Sequence, residues 1–156
     1  MSLSMHAMTV GQFVPTLKNL TRILEKAEAF AATKKIALCE GSEDGGGVLE
    51  GLRLAPDMLS FARQVQLASD FAKNSAARLA GVEPPKFEDS EKTLEELKGR
   101  IARTVDYLET LTPAQFAGAE TRHIVVPLRT RTLEMDGLSF LQKWVLPNFF
   151  FHVTTA

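Results

Sequence analysis

The feature that most constrains this chain is a set of four segments in which apolar residues recur at alternating steps of three and four positions. This spacing puts them on one face of an α-helix, because 3.6 residues complete a turn. We expect helices over about 9–33, 56–80 and 93–111, and from 137 towards the C-terminus. The apolar faces of the first three are Phe13, Leu17, Leu20, Leu24, Ala27 and Ala31; Met58, Phe61, Val65, Ala68, Ala72, Ser75 and Leu79; and Leu94, Leu97, Ile101, Thr104, Leu108 and Leu111.

Capping residues support these helix ends. Gly81 follows the second apolar face and suits the left-handed conformation that commonly ends a helix. Thr93 and Glu96 have the spacing of a capping box, in which each side chain binds a free backbone N–H at a helix start. Between the first two helices, residues 34–53 are rich in glycine and acidic residues and predict an exposed, mobile loop.

Residues 121–135 do not have the helical spacing. Here β-branched residues alternate with polar ones, which predicts two short strands. The last helix follows, and Pro147 should kink or break it, since proline lacks the N–H that bonds back four residues. The sequence therefore predicts an all-α fold: a four-helix bundle with a small β-hairpin before the last helix.

Composition narrows the function classes. A length of 156 residues corresponds to one domain, 1–156, of which we expect residues 1–8 to be disordered or added during cloning and the C-terminus to be truncated. The net charge of -1 argues against nucleic acid as a partner, and no segment has the length and apolarity of a membrane span. Cys39 is the single cysteine, which excludes a disulfide framework within the chain and fits a cytoplasmic location.

Several motifs resemble a bacterial family of unknown function within the DinB/YfiT-like superfamily of metal enzymes. They are Arg53-Leu54-Ala55-Pro56-Asp57-Met58, Arg63-Gln64-Val65-Gln66, Pro84, Phe87-Glu88-Asp89 and Leu146-Pro147-Asn148-Phe149-Phe150-Phe151-His152, and the resemblance spans about residues 9–156. It implies a DinB/YfiT-like four-helix bundle, frequently a homodimer. In many members it implies a divalent metal held by three histidines, and in some a thiol-dependent transferase or hydrolase activity.

This chain departs from that metal-binding pattern. The superfamily places one histidine in the second helix, where the nearest counterpart is Gln64, and a pair four residues apart in the last helix. Here His152 has Asn148 four residues before it and Ala156 four residues after it. Amide oxygens are poor transition-metal ligands beside imidazole. We therefore expect a degenerate site with no metal and no cofactor, although a divalent metal stays an alternative.

His152, Asn148 and Gln64 are the candidates for a ligand pocket. On the inner face of the bundle they are either a hydrogen-bonded core group or a pocket in which His152 acts as a general base or single metal ligand. Elsewhere, we expect Asp70 to be solvated, and Glu120 to form a surface ion pair with Arg122 and His123.

Aromatic residues surround the last helix. Trp144 and the run 149–151 cover more than one of its faces, which favours a homodimer interface. Three hypotheses on function follow. The first is a DinB-like bundle without the metal triad that binds a small molecule or a partner. The alternatives are an enzyme of this fold that uses His152, with or without a metal, and a structural or interaction protein.

Overall fold

Seven α-helical segments and one hairpin make up the described part of the chain. The computed structural model describes residues 4–33, 48–128 and 130–156. The helices are α1 (Met5–Met8), α2 (Val10–Thr33), α3 (Val48–Gly51), α4 (Phe61–Ala80), α5 (Leu94–Thr110), α6 (Gly137–Phe140) and α7 (Leu146–Thr155). A 3₁₀ turn covers Pro113–Phe116, and a π-helical turn at Leu141–Val145 joins α6 and α7 into one continuous last helix.

The four long helices pack as the apolar spacing predicts. Helix α4 packs against both α5 and α7, and α2 packs against α5. The predicted faces form the core between them, because nearly all of their residues are buried. The last helix adds its own buried residues to this core, namely Phe140, Leu141, Val145 and Phe149.

Both predicted caps are present. Gly81 has φ 72°, in the left-handed region, and Thr93 and Glu96 form the reciprocal capping box. Helix α4 begins at Phe61 rather than near residue 56, because the Ser60 side chain caps it by accepting from the backbone N–H of Arg63.

The hairpin pairs β1 (His123–Pro127) with β2 (Thr132–Asp136) in antiparallel register. Ile124 and Val126 are buried in alternation with exposed neighbours, so one face of the hairpin packs on the bundle. The hairpin lies before the last helix, as predicted.

The last helix accommodates Pro147 without a break. In the π-helical turn, the backbone N–H of Leu146 bonds to the oxygen of Leu141, five residues earlier. Pro147 then falls in the first turn of α7. A residue in a first turn needs no N–H partner within its own helix, and the π turn absorbs the mismatch with the preceding helix.

Two expectations on the flanking segments change. Residues 5–8 form a helix whose Met5 is buried, so the prediction of a disordered arm is wrong for them. The predicted mobile loop mostly lies outside the described residues, as does Cys39, but Val48–Gly51 is helical. Within the described ranges, no helix is both long and apolar enough to cross a membrane.

Candidate functional site

Two of the three predicted pocket residues meet where α4 packs against α7. His152 Nδ1 lies 2.7 Å from Gln64 Oε1, and both side chains are buried. Asn148 lies one turn before His152, yet its Nδ2 donates to the backbone oxygen of Trp144 at 2.6 Å. The structure therefore brings Gln64 and His152 together, whereas the Asn148 amide hydrogen-bonds within its own helix.

The Gln64 amide fixes the proton position on His152. An amide oxygen only accepts hydrogen bonds, so His152 donates from Nδ1 and keeps a lone pair on Nε2. The other end of the amide supports this orientation, because Gln64 Nε2 lies 3.5 Å from the backbone oxygen of Leu59. Burial, and additionally the positive charge of Arg63, lowers the pKa of His152. The ring is therefore neutral at pH 7.

Aromatic rings hold the His152 imidazole in place. Phe71 stacks on it at 5.4 Å between centroids and 25° between planes, and Phe151 meets it edge-on at 5.2 Å. Phe71 also lies 6.5 Å from the Trp144 ring. Phe71 thus connects the buried Gln64–His152 pair with the side of the bundle that carries Trp144.

On that side, a cavity of about 250 Å³ lies between α4, the hairpin and the last helix. We call it the α4–hairpin cavity. Its walls are mainly apolar and aromatic, with a few polar groups on α4. The lining residues used below are Phe71, Asn74, Arg78, Val126, Phe140 and Trp144. Trp144 belongs to the π-helical turn, a local geometry that is frequent at functional sites.

Two of the polar side chains that line this cavity are available to a ligand. Asn74 and Arg78 lie four residues apart on one face of α4 and are partly buried. In the described part of the chain, neither side chain has a hydrogen bond or ion pair. Sequence reasoning missed both residues. The sequence did contain a signal: two polar residues one turn apart, beside the apolar face of the second helix.

A network of charges around the buried Arg100 corrects the expectation that Asp70 is solvated. Asp70 Oδ1 lies 2.8 Å from Arg100 and 3.3 Å from Lys73, whose side chains are fully or almost fully buried. Arg100 also binds Asp89 and Glu91, on the connection between α4 and α5. Burial disfavours its charge, but the carboxylates outweigh this effect and raise the pKa of Arg100. This network fixes the connection to the bundle.

The expected ion pair on the hairpin is replaced by other contacts. Arg122 donates to the backbone oxygens of Leu79 and Ala117, and its side chain thereby binds the end of α4. His123 Nε2 lies 3.4 Å from Glu134 on the neighbouring strand, and both side chains are exposed. The expected pair does not form because Glu120 lies in the turn before β1, and the Arg122 guanidinium is already bonded to two backbone oxygens.

A second, apolar cavity of about 310 Å³ opens where α7 ends. It is lined by Leu52, Leu54, Leu59, Phe61, Thr155 and neighbouring residues. Arg53 also lines it, but its guanidinium already donates a hydrogen bond to the backbone oxygen of Met58. The described lining residues of this cavity offer apolar surface without a free polar group of the kind found beside Trp144.

Comparison with known proteins identifies the family. The model for "Domain of unknown function (DUF1993)" matches residues 5–156. The chain belongs to the DUF1993 family. It is also similar to the crystal structure, at 1.83 Å resolution, of a DinB family member protein from Shewanella denitrificans. The two share 43% identity with a TM-score of 0.84, over 96% of this chain and 80% of that chain. The search of curated proteins found no match.

The DUF1993 chain thus has the DinB-like bundle that its motifs predict. The residues at its metal positions do not fit the three-histidine pattern of that superfamily. Gln64 offers an amide that is already bonded to His152, and the amide nitrogen of Asn148 is bonded to its own helix. His6 contacts the backbone oxygen of Leu111, and His123 lies on the hairpin. No cluster of three metal-ligating side chains occurs among the residues described.

Proposed function

We propose that this DUF1993 protein binds a small molecule in the α4–hairpin cavity and does so without the superfamily metal. One observation carries the proposal: a buried Gln64–His152 hydrogen bond lies where many superfamily members hold a metal, beside a cavity with two polar side chains that have no partner among the described residues. A mainly apolar pocket with a few convergent polar groups is the usual form of a small-molecule site.

A cavity-filling variant tests the proposal. Val126 is buried and lines the cavity, whereas its strand neighbour Val125 is 46% exposed. We expect Val126→Phe to abolish the binding of small molecules selected in a fragment screen, and Val125→Phe, the matched control, to leave it unchanged. The readout is the NMR signal of the indole N–H of Trp144, the single tryptophan. The proposal fails if no fragment shifts this signal, or if Val126→Phe binds the fragments as well as wild type does.

A second candidate function, catalysis by His152, is favoured by one observation. The Gln64 contact holds the ring as the tautomer with a lone pair on Nε2, and the lowered pKa keeps it neutral. Both are properties of a general base. If this role holds, His152→Gln will abolish turnover of a substrate found by screening, while Gln64→Glu, which keeps an acceptor oxygen, will retain much of it.

We also propose that the protein forms a homodimer through the last helix. Phe150 and Phe151 are neighbours on α7 and are 40% and 50% exposed. An exposed pair of large aromatic side chains is typical of an interaction surface. Light scattering at micromolar concentration should give the mass of a dimer, and the change of both residues to serine should give that of a monomer.

We also propose that the protein is bacterial and that it is located in the cytoplasm. The resemblance of its motifs to a bacterial family supports a bacterial origin, and the single cysteine, Cys39, supports the cytoplasm. Fractionation of cells that express the protein tests the location, since recovery outside the cytosolic fraction would contradict it.

A further inference from the structure

We infer that the ligand of the α4–hairpin cavity is a small carboxylate with a flat apolar body, and that Arg78 and Asn74 bind its carboxylate group. This inference rests on the proposed function, because it names the chemical class of the ligand for the same cavity. Three observations carry it: the charge state of the cavity, the placement of its polar groups, and the shape of its walls.

The first observation is charge. Among the described residues, two ionisable side chains line the cavity, Asp70 and Arg78. Asp70 is neutralised by the buried cations of Arg100 and Lys73, whereas Arg78 has no partner among the described residues. Arg78 also borders a neighbouring depression with Glu83, yet the two form no ion pair. The described part of the cavity therefore has one uncompensated positive charge, which matches a ligand with a single negative charge.

The second observation is the placement of the polar groups. Residues four apart on a helix are neighbours, so Asn74 and Arg78 occupy adjacent positions on the face of α4 that lines the cavity. A guanidinium binds both oxygens of a carboxylate through a planar fork, and an adjacent amide N–H adds a further donor.

The third observation is the shape of the walls. Phe71 and Trp144 lie 6.5 Å apart with 52° between their planes, and Val126 and Phe140 add apolar surface. A cavity of about 150 Å³ is large enough to hold benzene. The volume of about 250 Å³ found here has room for one ring with a short carboxylate arm.

Phenylacetate is the probe that tests this inference, because its ring and carboxylate match the cavity. Phenylacetamide is the uncharged control of nearly the same shape. Fluorescence of Trp144, the single tryptophan, reports binding directly from the cavity wall. We expect phenylacetate to change the emission saturably, and phenylacetamide to bind about tenfold or more weakly, since it loses the charge-assisted hydrogen bonds.

Variants assign the effect to the guanidinium. We expect Arg78→Gln to raise the Kd of phenylacetate about tenfold or more and to remove the preference for the acid over the amide. Arg78→Lys keeps the charge but not the planar fork, so its Kd for phenylacetate should lie between those of wild type and Arg78→Gln. Arg22→Gln is the matched control on exposed α2 surface and should bind like wild type. Urea unfolding of each variant verifies that its fold is intact.

Each contrary outcome has a separate meaning. Equal binding of acid and amide, unaffected by Arg78→Gln, would overturn the carboxylate inference and leave small-molecule binding intact. A carboxylate preference that survives Arg78→Gln would overturn the assignment to Arg78. If neither probe changes the Trp144 emission, the inference is wrong, and the fragment screen with Val126→Phe then decides the proposed function independently.

Discussion

The Gln64–His152 hydrogen bond allows a sharp test by a double-mutant cycle. His152→Phe keeps an aromatic ring that can stack on Phe71 but leaves Gln64 Oε1 without a partner. Gln64→Leu leaves the His152 Nδ1–H without one. The double variant removes both polar groups and replaces them with apolar side chains of similar size. The loss of unfolding free energy in the double variant should therefore be smaller than the sum of the losses in the two single variants.

The magnitude follows from burial. Gln64 is 2% exposed and His152 is 8% exposed, so water cannot readily replace the lost partner in either single variant. An unsatisfied buried polar group costs about 1–3 kcal/mol. We expect each single variant to lose stability in this range. The double variant should lose less than the sum of the two, with a coupling of about 1–2 kcal/mol.

Urea unfolding at neutral pH, followed by circular dichroism, measures the four free energies of unfolding. Gln12→Leu, an exposed site on α2, serves as the control partner for His152→Phe and should give additive losses. Additive losses in the Gln64–His152 cycle itself would refute the reasoning. So would single variants as stable as wild type, because the pair would then not be a satisfied core group.

Three further predictions concern stability. The pKa of His152 is lowered in the folded state, so the unfolded state binds more protons in mild acid. The free energy of unfolding should therefore fall as the pH drops below about 6.5. Urea unfolding at several pH values should show that this fall is smaller in His152→Phe. Arg100→Met removes the buried guanidinium that binds Asp70, Asp89 and the buried Glu91, and should cost up to about 3–5 kcal/mol in urea unfolding. A loss below about 1 kcal/mol would contradict the role of the network. Gly137→Ala should cost about 2 kcal/mol or more, because its Cβ would clash with the backbone oxygen of Ala119. Gly99→Ala, with open space in α5, should instead gain about 0.5–1 kcal/mol. Thermal unfolding measures both, and equal shifts in melting temperature would contradict this reasoning.

The helices and the hairpin could be predicted from the sequence because their signals are local. The apolar spacing set the faces of α2, α4 and α5, and the cap residues Gly81 and Thr93 marked ends that the structure confirms. The π-helical turn before Pro147 could not be predicted in this way. It depends on how the last helix must pack on α4 and the hairpin, and the sequence shows only that an ordinary helix is interrupted there.

The candidate site was predictable in part. Gln64 and His152 share the inner face of the bundle, so their proximity follows from the helix pattern. The α4–hairpin cavity was missed because it depends on the gap left between side chains of three elements. Arg100 shows a signal that was present: it lies between Leu97 and Ile101 on the inner face of α5, where a charged residue must find buried partners.

Elemental analysis of the purified protein, freed of any histidine tag and exposed to zinc, nickel and manganese, tests the central claim most directly. The claim is that a hydrogen-bonded Gln64–His152 pair replaces the metal site of the DinB-like bundle. We expect the metal content after dialysis to be far below one ion per chain, and to be the same in His152→Phe. One tightly bound ion per chain that His152→Phe abolishes would contradict it, because His152 would then serve as a metal ligand.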